Sequence, residues 1–181
     1  MRQAIQILKG DKTLAPDFYE LLIEEAANML VISGKVKDIK KARALMEEKI
    51  ENGEAAAKLR EMVKWQGGDP KSVDDPEGYF KDAKLKLEIK AEASGYVQHI
   101  DAKTAGMAGV LLGAGRNTME DVIDYGAGIW LSKKAGDAVK KGDVIATLYA
   151  SDKKRLEDGA ALFKQALKTG KKKPAAYKII K

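Results

Sequence analysis

The hydrophobic period changes along this chain, and that change limits the fold more than any other feature. Up to residue 66 apolar residues recur every three or four positions, the spacing of helices; beyond residue 80 they alternate, the spacing of strands. Arg2–Lys9 reads as a short helix with Ile5 and Leu8 on one face, stopped by Gly10. Pro16 suits a first helical turn, and from it Phe18, Leu21, Leu22, Ala26, Met29 and Leu30 form a predicted buried stripe ending at Gly34. Asp38 is placed to cap a third helix carrying Ile39, Ala42, Leu45, Met46 and Ile50 up to Gly53. A fourth, Glu54–Gln66, presents Leu59, Met62 and Val63.

Two prolines and three glycines fall within residues 67–79, which predicts an irregular linker and a domain boundary. Past it, Leu85, Leu87 and Ile89 alternate with charged residues as a half-buried strand, and Tyr96–Ile100 follows a Ser94-Gly95 turn. Asp101 should cap a small-residue helix, Ala102–Leu112, whose Gly106 and Gly109 imply close packing against backbone. Thr118 and Asp121 suggest a capped helical turn. Strands are expected at Ile129–Leu131, Ala138–Val139, Val144–Tyr149 and Ala176–Ile180, with a helix from about Asp152 to Lys168. The expected class is α+β. A helical segment (1–66) and a Gly/Pro-rich linker (67–80) precede a small, mostly antiparallel β domain with flanking helices (81–181).

Composition removes several chemistries. The chain of 181 residues has no cysteine and one histidine, which excludes disulfides, thiolate metal sites, a cysteine nucleophile and any two-histidine metal motif. Arg2, Lys9, Asp11, Lys12, Asp17 and Glu20 interrupt the start, against a secretory leader, and no apolar run approaches the roughly 20 residues that span a bilayer. The expected location is the cytoplasm, with no membrane partner. The net charge of +6 comes from interspersed charges and reads as a solvated surface; no nucleic-acid partner is expected.

Candidate functional residues are few. Leu112-Gly113-Ala114-Gly115-Arg116 has the look of a phosphate cradle, but it follows a helix, lacks a third glycine, and is not followed by Gly-Lys-Ser/Thr. A tight turn with Arg116 tied to a carbonyl or carboxylate is the simpler reading. His99 stands alone at a strand end, and Asp74-Asp75 suits turn-making better than acid–base work. Trp65 and Trp130 have no aromatic neighbours at stacking spacing, and Lys171-Lys172-Lys173 is a solvated run. No catalytic, cofactor-binding or metal residue is assigned.

More specific is Gly136-Asp137-Ala138-Val139-Lys140-Lys141-Gly142-Asp143-Val144-Ile145: two glycine-aspartate turns flanking a short strand. With Ser94-Gly95-Tyr96-Val97 it resembles the lipoyl/biotinyl-type β scaffold, the barrel-sandwich hybrid. The Ala-Met-Lys-Met and Asp-Lys-Ala contexts of a carrier lysine are absent, so the scaffold is favoured over the carrier function. A lipoyl/biotinyl-like binding or carrier module remains the alternative.

Several motifs, in order, resemble the pyrimidine nucleoside phosphorylase family, including thymidine phosphorylase. They are Gln66-Gly67-Gly68-Asp69-Pro70 with Val73-Asp74-Asp75-Pro76, then Leu112–Arg116, Glu120-Asp121-Val122-Ile123-Asp124, Gly128-Ile129 and Gly136-Asp137. Leu8-Lys9-Gly10, Met29-Leu30 before Gly34-Lys35, and Ala42-Arg43-Ala44-Leu45 with Glu47-Glu48 extend the likeness through the helical stretch. The resemblance implies a pentosyltransferase parent that converts a pyrimidine nucleoside and phosphate to the base and a pentose 1-phosphate, of which this chain matches the last two-fifths. Family members are homodimers with a cleft between a helical and an α/β domain. Their phosphate- and pyrimidine-binding residues lie upstream of the matched region, so none is carried over. The chain alone is therefore expected to be inactive and to need a missing N-terminal catalytic portion. Phosphate enters only as the parent's co-substrate. The resemblance also implies a potassium-type site near residues 30–42, where Lys40-Lys41 stand against an acidic ligand. Helix faces left bare, at Phe18, Met29, Leu30 or Trp65, imply a homo-oligomer.

Overall fold

The structure is a computed structural model that describes residues 1–175. The strand expected at Ala176–Ile180 lies outside the described residues. The chain divides into a unit built from Met1–Phe80 and a second beginning at Lys81.

The first unit is helical: α1 (Arg2–Leu8), α2 (Pro16–Ile32), α3 (Ile39–Glu51), α4 (Glu54–Trp65), α5 (Lys71–Asp74) and α6 (Pro76–Tyr79). Pro16 opens α2, where a missing N–H costs nothing. The Asp38 side chain accepts the Lys41 amide at 2.8 Å and starts α3. Gly53, at φ 82°, makes the left-handed step between α3 and α4. Ile7, Ala15, Tyr19, Ile23 and Ile50 form the core, with Leu22, Met46 and Ala55 packed around it. This corrects the predicted stripe of α2. The buried face is Tyr19, Ile23 and Ala27, whereas Phe18 and Met29 are 43% and 70% exposed. The helix carries apolar residues on more than one side, so periodicity alone could not choose between its faces.

The stretch 67–80 is also ordered rather than irregular. Its prolines stand at or before the first turns of α5 and α6, where proline is tolerated. Asp75 accepts the Gly78 amide at 2.9 Å, the buried Ser72 hydroxyl donates to the Asp69 carbonyl at 2.7 Å, and Val73 is buried.

The second unit contains β1 (Leu85–Lys90), β2 (Gly95–Ile100), α7 (Ala102–Leu112), β3 (Gly128–Leu131), β4 (Ala138–Val139), β5 (Val144–Ala150), α8 (Lys153–Ala166) and β6 (Leu167–Gly170). Among the described residues, two antiparallel sheets of three strands, ordered β1-β5-β3 and β4-β2-β6, give the α+β class and do not close into a barrel. Leu87, Ile89, Ile129, Ala146, Leu148 and Ala150 face α7 and α8, meeting Ala108, Leu112, Leu156, Ala160 and Phe163. A smaller cluster joins Ala91, Val97, Val139 and Ile145.

Three local readings need correction. The last helix ends at Ala166, and Leu167–Gly170 becomes an edge strand on β2, with Leu167 opposite Ile100. Pairing across the sheet overrides the helical spacing that had seemed to include Leu167. Gly106 and Gly109 have open space where a Cβ would stand. The close contact is at Gly159 of α8, where a Cβ would come within 2.6 Å of the Leu112 side chain. Finally, Thr118–Asp121 is a turn and not a helix. The Asp121 carboxylate accepts the amides of Asn117 and Thr118 at 2.8 and 3.1 Å, folding the loop back on itself.

Candidate functional site

A cleft of about 360 Å³ opens in the second unit between the end of α7, the loop after it and the start of α8. Val110, Leu111 and Val122 supply its apolar wall, and Asp121, Asp152, Lys154, Arg155 and Asp158 its charges. The loop begins with Gly113 at φ 105°. Its amide donates to the Val110 carbonyl at 3.0 Å, and the Ala114 amide to the Gly109 carbonyl at 3.0 Å. These paired bonds complete the left-handed helix stop. They also commit both amides to α7, so the Gly-Ala-Gly run is a helix terminus and not a phosphate cradle. Arg116 is exposed; the guanidinium at the turn belongs to Arg155, whose Nη1 would lie 2.8 Å from a Cβ at Gly113.

Behind the cleft, Asp124 organises the return of the loop. Its amide donates to the Gly113 carbonyl at 2.9 Å, and its carboxylate accepts the Gly126 amide at 2.9 Å. Hydrogen bonding by Ser151, chiefly, then by the Gly126 and Ala127 amides, with Arg155 nearby, holds the Asp124 carboxyl below the ordinary aspartate range. The same cause, amides from Thr118 and Asn117, lowers Asp121. Asp152 is spent as the α8 cap, accepting the Arg155 amide at 2.9 Å. Ser151, Asp124 and Arg155 were missed in the sequence because they converge only through the fold. The one local signal was Asp152 ahead of a helical stretch.

The paired turns lie elsewhere in the unit and repeat one geometry. Gly136 and Gly142 take φ of 98° and 92°, and the carboxylates of Asp137 and Asp143 accept the amides of Lys134 and Lys140 at 2.7 and 2.9 Å. Each turn then docks on a strand segment. The Gly136 amide donates to the Val97 carbonyl and the Asp137 carbonyl accepts the Val97 amide; the Gly142 amide and Asp143 carbonyl make the same pair of bonds with Ala91. Those two partners are half of the small core cluster, so the motif is a scaffold device. Lys140 and Lys141 are exposed on the second turn.

The remaining candidates are not brought together. His99 is exposed, with Nε2 4.0 Å from an Asp101 carboxylate that caps α7 through the Thr104 amide. The Asp74 carboxylate pairs with Arg60 at 3.0 Å, its carbonyl accepts Lys9 at 2.8 Å, and Asp75 caps α6. Trp65 is 82% and Trp130 44% exposed. Lys40 and Lys41 are exposed at the start of α3, and Lys171–Lys173 after β6. Among the described residues, no helix is long and apolar enough to cross a membrane.

These features define a small α+β domain with ordered loops. Residues 96–170 match the family described as the pyrimidine nucleoside phosphorylase C-terminal domain. It is 41% identical over 151 residues to the pyrimidine-nucleoside phosphorylase of Bacillus subtilis, covering 83% of this chain and 34% of the relative. The Staphylococcus epidermidis enzyme of the same name is 39% identical over 153 residues (84% and 35%), and that of Staphylococcus haemolyticus 38% over 158 residues (87% and 36%). The chain thus spans about a third of the length of these curated relatives.

Proposed function

We propose that this chain is the C-terminal scaffold portion of a pyrimidine nucleoside phosphorylase, which exchanges the base of a pyrimidine nucleoside for phosphate. Phosphorolysis needs clustered donors for a phosphate dianion and for charge developing on the departing pyrimidine. The observation that carries the reading is at the Gly113 turn. The Gly113 and Ala114 amides at the start of the glycine run are bonded to α7 carbonyls, and the nearby carboxylates of Asp121 and Asp152 are bonded to backbone amides. The role left to the chain is to complete and brace a large domain whose reacting groups come from the rest of the enzyme. The complete enzyme is a cytoplasmic homodimeric pentosyltransferase, and the chain alone is inactive.

The test is phosphate-dependent release of thymine from thymidine and uracil from uridine, by the chain alone and with the portion of the Bacillus subtilis enzyme that it does not match. Activity only in the mixture is expected. Turnover by the purified chain alone would overturn the reading. A carrier role is checked in parallel by incubation with a biotin or lipoate ligase, for which no mass shift on any lysine is expected.

A further inference from the structure

Helix α2 carries a second apolar face that the unit does not use. Phe18, Leu22, Glu25, Met29 and Ile32 follow one another at spacings of four, three, four and three residues. That is the spacing of a seam along which two helices pack side by side. Phe18, Met29 and Ile32 are 43%, 70% and 85% exposed; Leu22 lies at the margin, already touching the core. The opposite face, Tyr19, Ile23 and Ala27, is buried. A helix apolar on both sides belongs between two layers.

Glu25 sits at the centre of the open seam. Its neighbours Glu20 and Glu24 both turn to Arg43 of α3, at 2.9 and 2.6 Å. Glu25 is exposed and on the seam side instead. A second copy of α2 laid along the seam, parallel in register or antiparallel about its centre, would bring two Glu25 carboxylates together, and like charges facing each other in an interface oppose association. The relatives, by contrast, have about two-thirds of their length outside the region matched by this chain.

We infer that this seam receives a helix from that remaining portion of the phosphorylase, with a lysine or arginine of the incoming helix against Glu25. The inference rests on the proposed function and specifies where the two portions meet. A single polar residue within an apolar seam sets its register.

Because the chain has no cysteine, single-cysteine variants give unique labels. Ile32→Cys and, as a control on the exposed side of α3, Glu48→Cys would be labelled with a maleimide. Labelling is done with and without the unmatched portion of the Bacillus subtilis pyrimidine-nucleoside phosphorylase, with complex formation followed by size-exclusion chromatography. The expected result is a complex in which Ile32→Cys reacts at least tenfold more slowly and Glu48→Cys is unchanged. Glu25→Lys should reduce complex yield far more than Glu25→Gln. A complex in which Ile32→Cys reacts at its free rate overturns the seam and leaves the proposed function standing. With the unmatched portion first shown to be folded by circular dichroism, no complex overturns both. Protection of Ile32→Cys in the chain by itself overturns the inference by showing that the chain, or a second copy of it, covers the face.

Discussion

The two units handle apolar surface in opposite ways. In the β unit the strands β1, β5 and β3 and the helices α7 and α8 bury their inner residues against one another, and Phe163, Leu112 and Leu148 are fully enclosed. In the helical unit Ile7, Ile23 and Ala27 are just as enclosed, yet Met29, Ile32, Met62 and Trp65 stay half or more exposed and α4 buries no residue. Scattered exposed apolar residues are ordinary on a protein surface. A regular seam along one helix is not. The contrast separates a domain that is complete as a packing problem from one that still has a face to cover.

The sharpest way to break this comparison is in the β unit's core. Phe163→Ala should cost about 3–5 kcal/mol in chemical denaturation, because it empties a site enclosed by both helices and the sheet. A cost below about 1 kcal/mol would mean that the core is looser than described.

Next comes Gly159→Ala. Alanine is the better helix former, but its methyl would press on the enclosed Leu112, and overpacking typically costs about 1–3 kcal/mol. A gain in melting temperature would show that α7 and α8 can separate without penalty.

The paired turns give a finer test. Asp137→Ala and Asp143→Ala each remove one carboxylate-to-amide bond of the same geometry, so each should lower stability by about 1 kcal/mol, and by similar amounts. A large inequality would show that one turn carries the scaffold and the other follows.

The smallest effect is expected on the open seam. Ile32→Ser should change the chain's own stability by no more than about 0.5 kcal/mol, since the side chain is 85% exposed. A loss above about 2 kcal/mol would place Ile32 in a core and erase the difference between the units.

Much of this was legible from the residues. Asp38 and Asp101 cap the helices that their positions suggested, and Pro16 opens α2. Gly136-Asp137 and Gly142-Asp143 make the two turns, β1 lies where alternation placed it, and β2, β3 and β5 lie within a residue of the strands expected beside the turns. What was not legible depended on distant partners. Residues 67–80 fold because Pro70 and Pro76 meet helical first turns whose buried sides, Val73 and Pro76, find cover within the unit. Leu167 fits a helical repeat in sequence and a strand in space, and Ile100 decides the matter. The loop after α7 offered a glycine run that looks like an anion cradle until the carbonyls of Val110 and Gly109 are seen to take the Gly113 and Ala114 amides.

The amino-acid sequence by itself determined the caps, the glycine turns, the change of period and the family. The caps and turns rest on bonds or backbone angles within a few residues, where local chemistry has few alternatives, and the period and the family on the order of residues along the chain. Only the tertiary structure decided which face of α2 is buried, that Gly159 and not Gly106 is the tight contact, and that Arg155 and Ser151 converge on the Asp124 loop. Those outcomes depend on groups tens of residues apart. An apolar helix or a lone glycine satisfies its local rules equally well in more than one such arrangement, and packing selects among them.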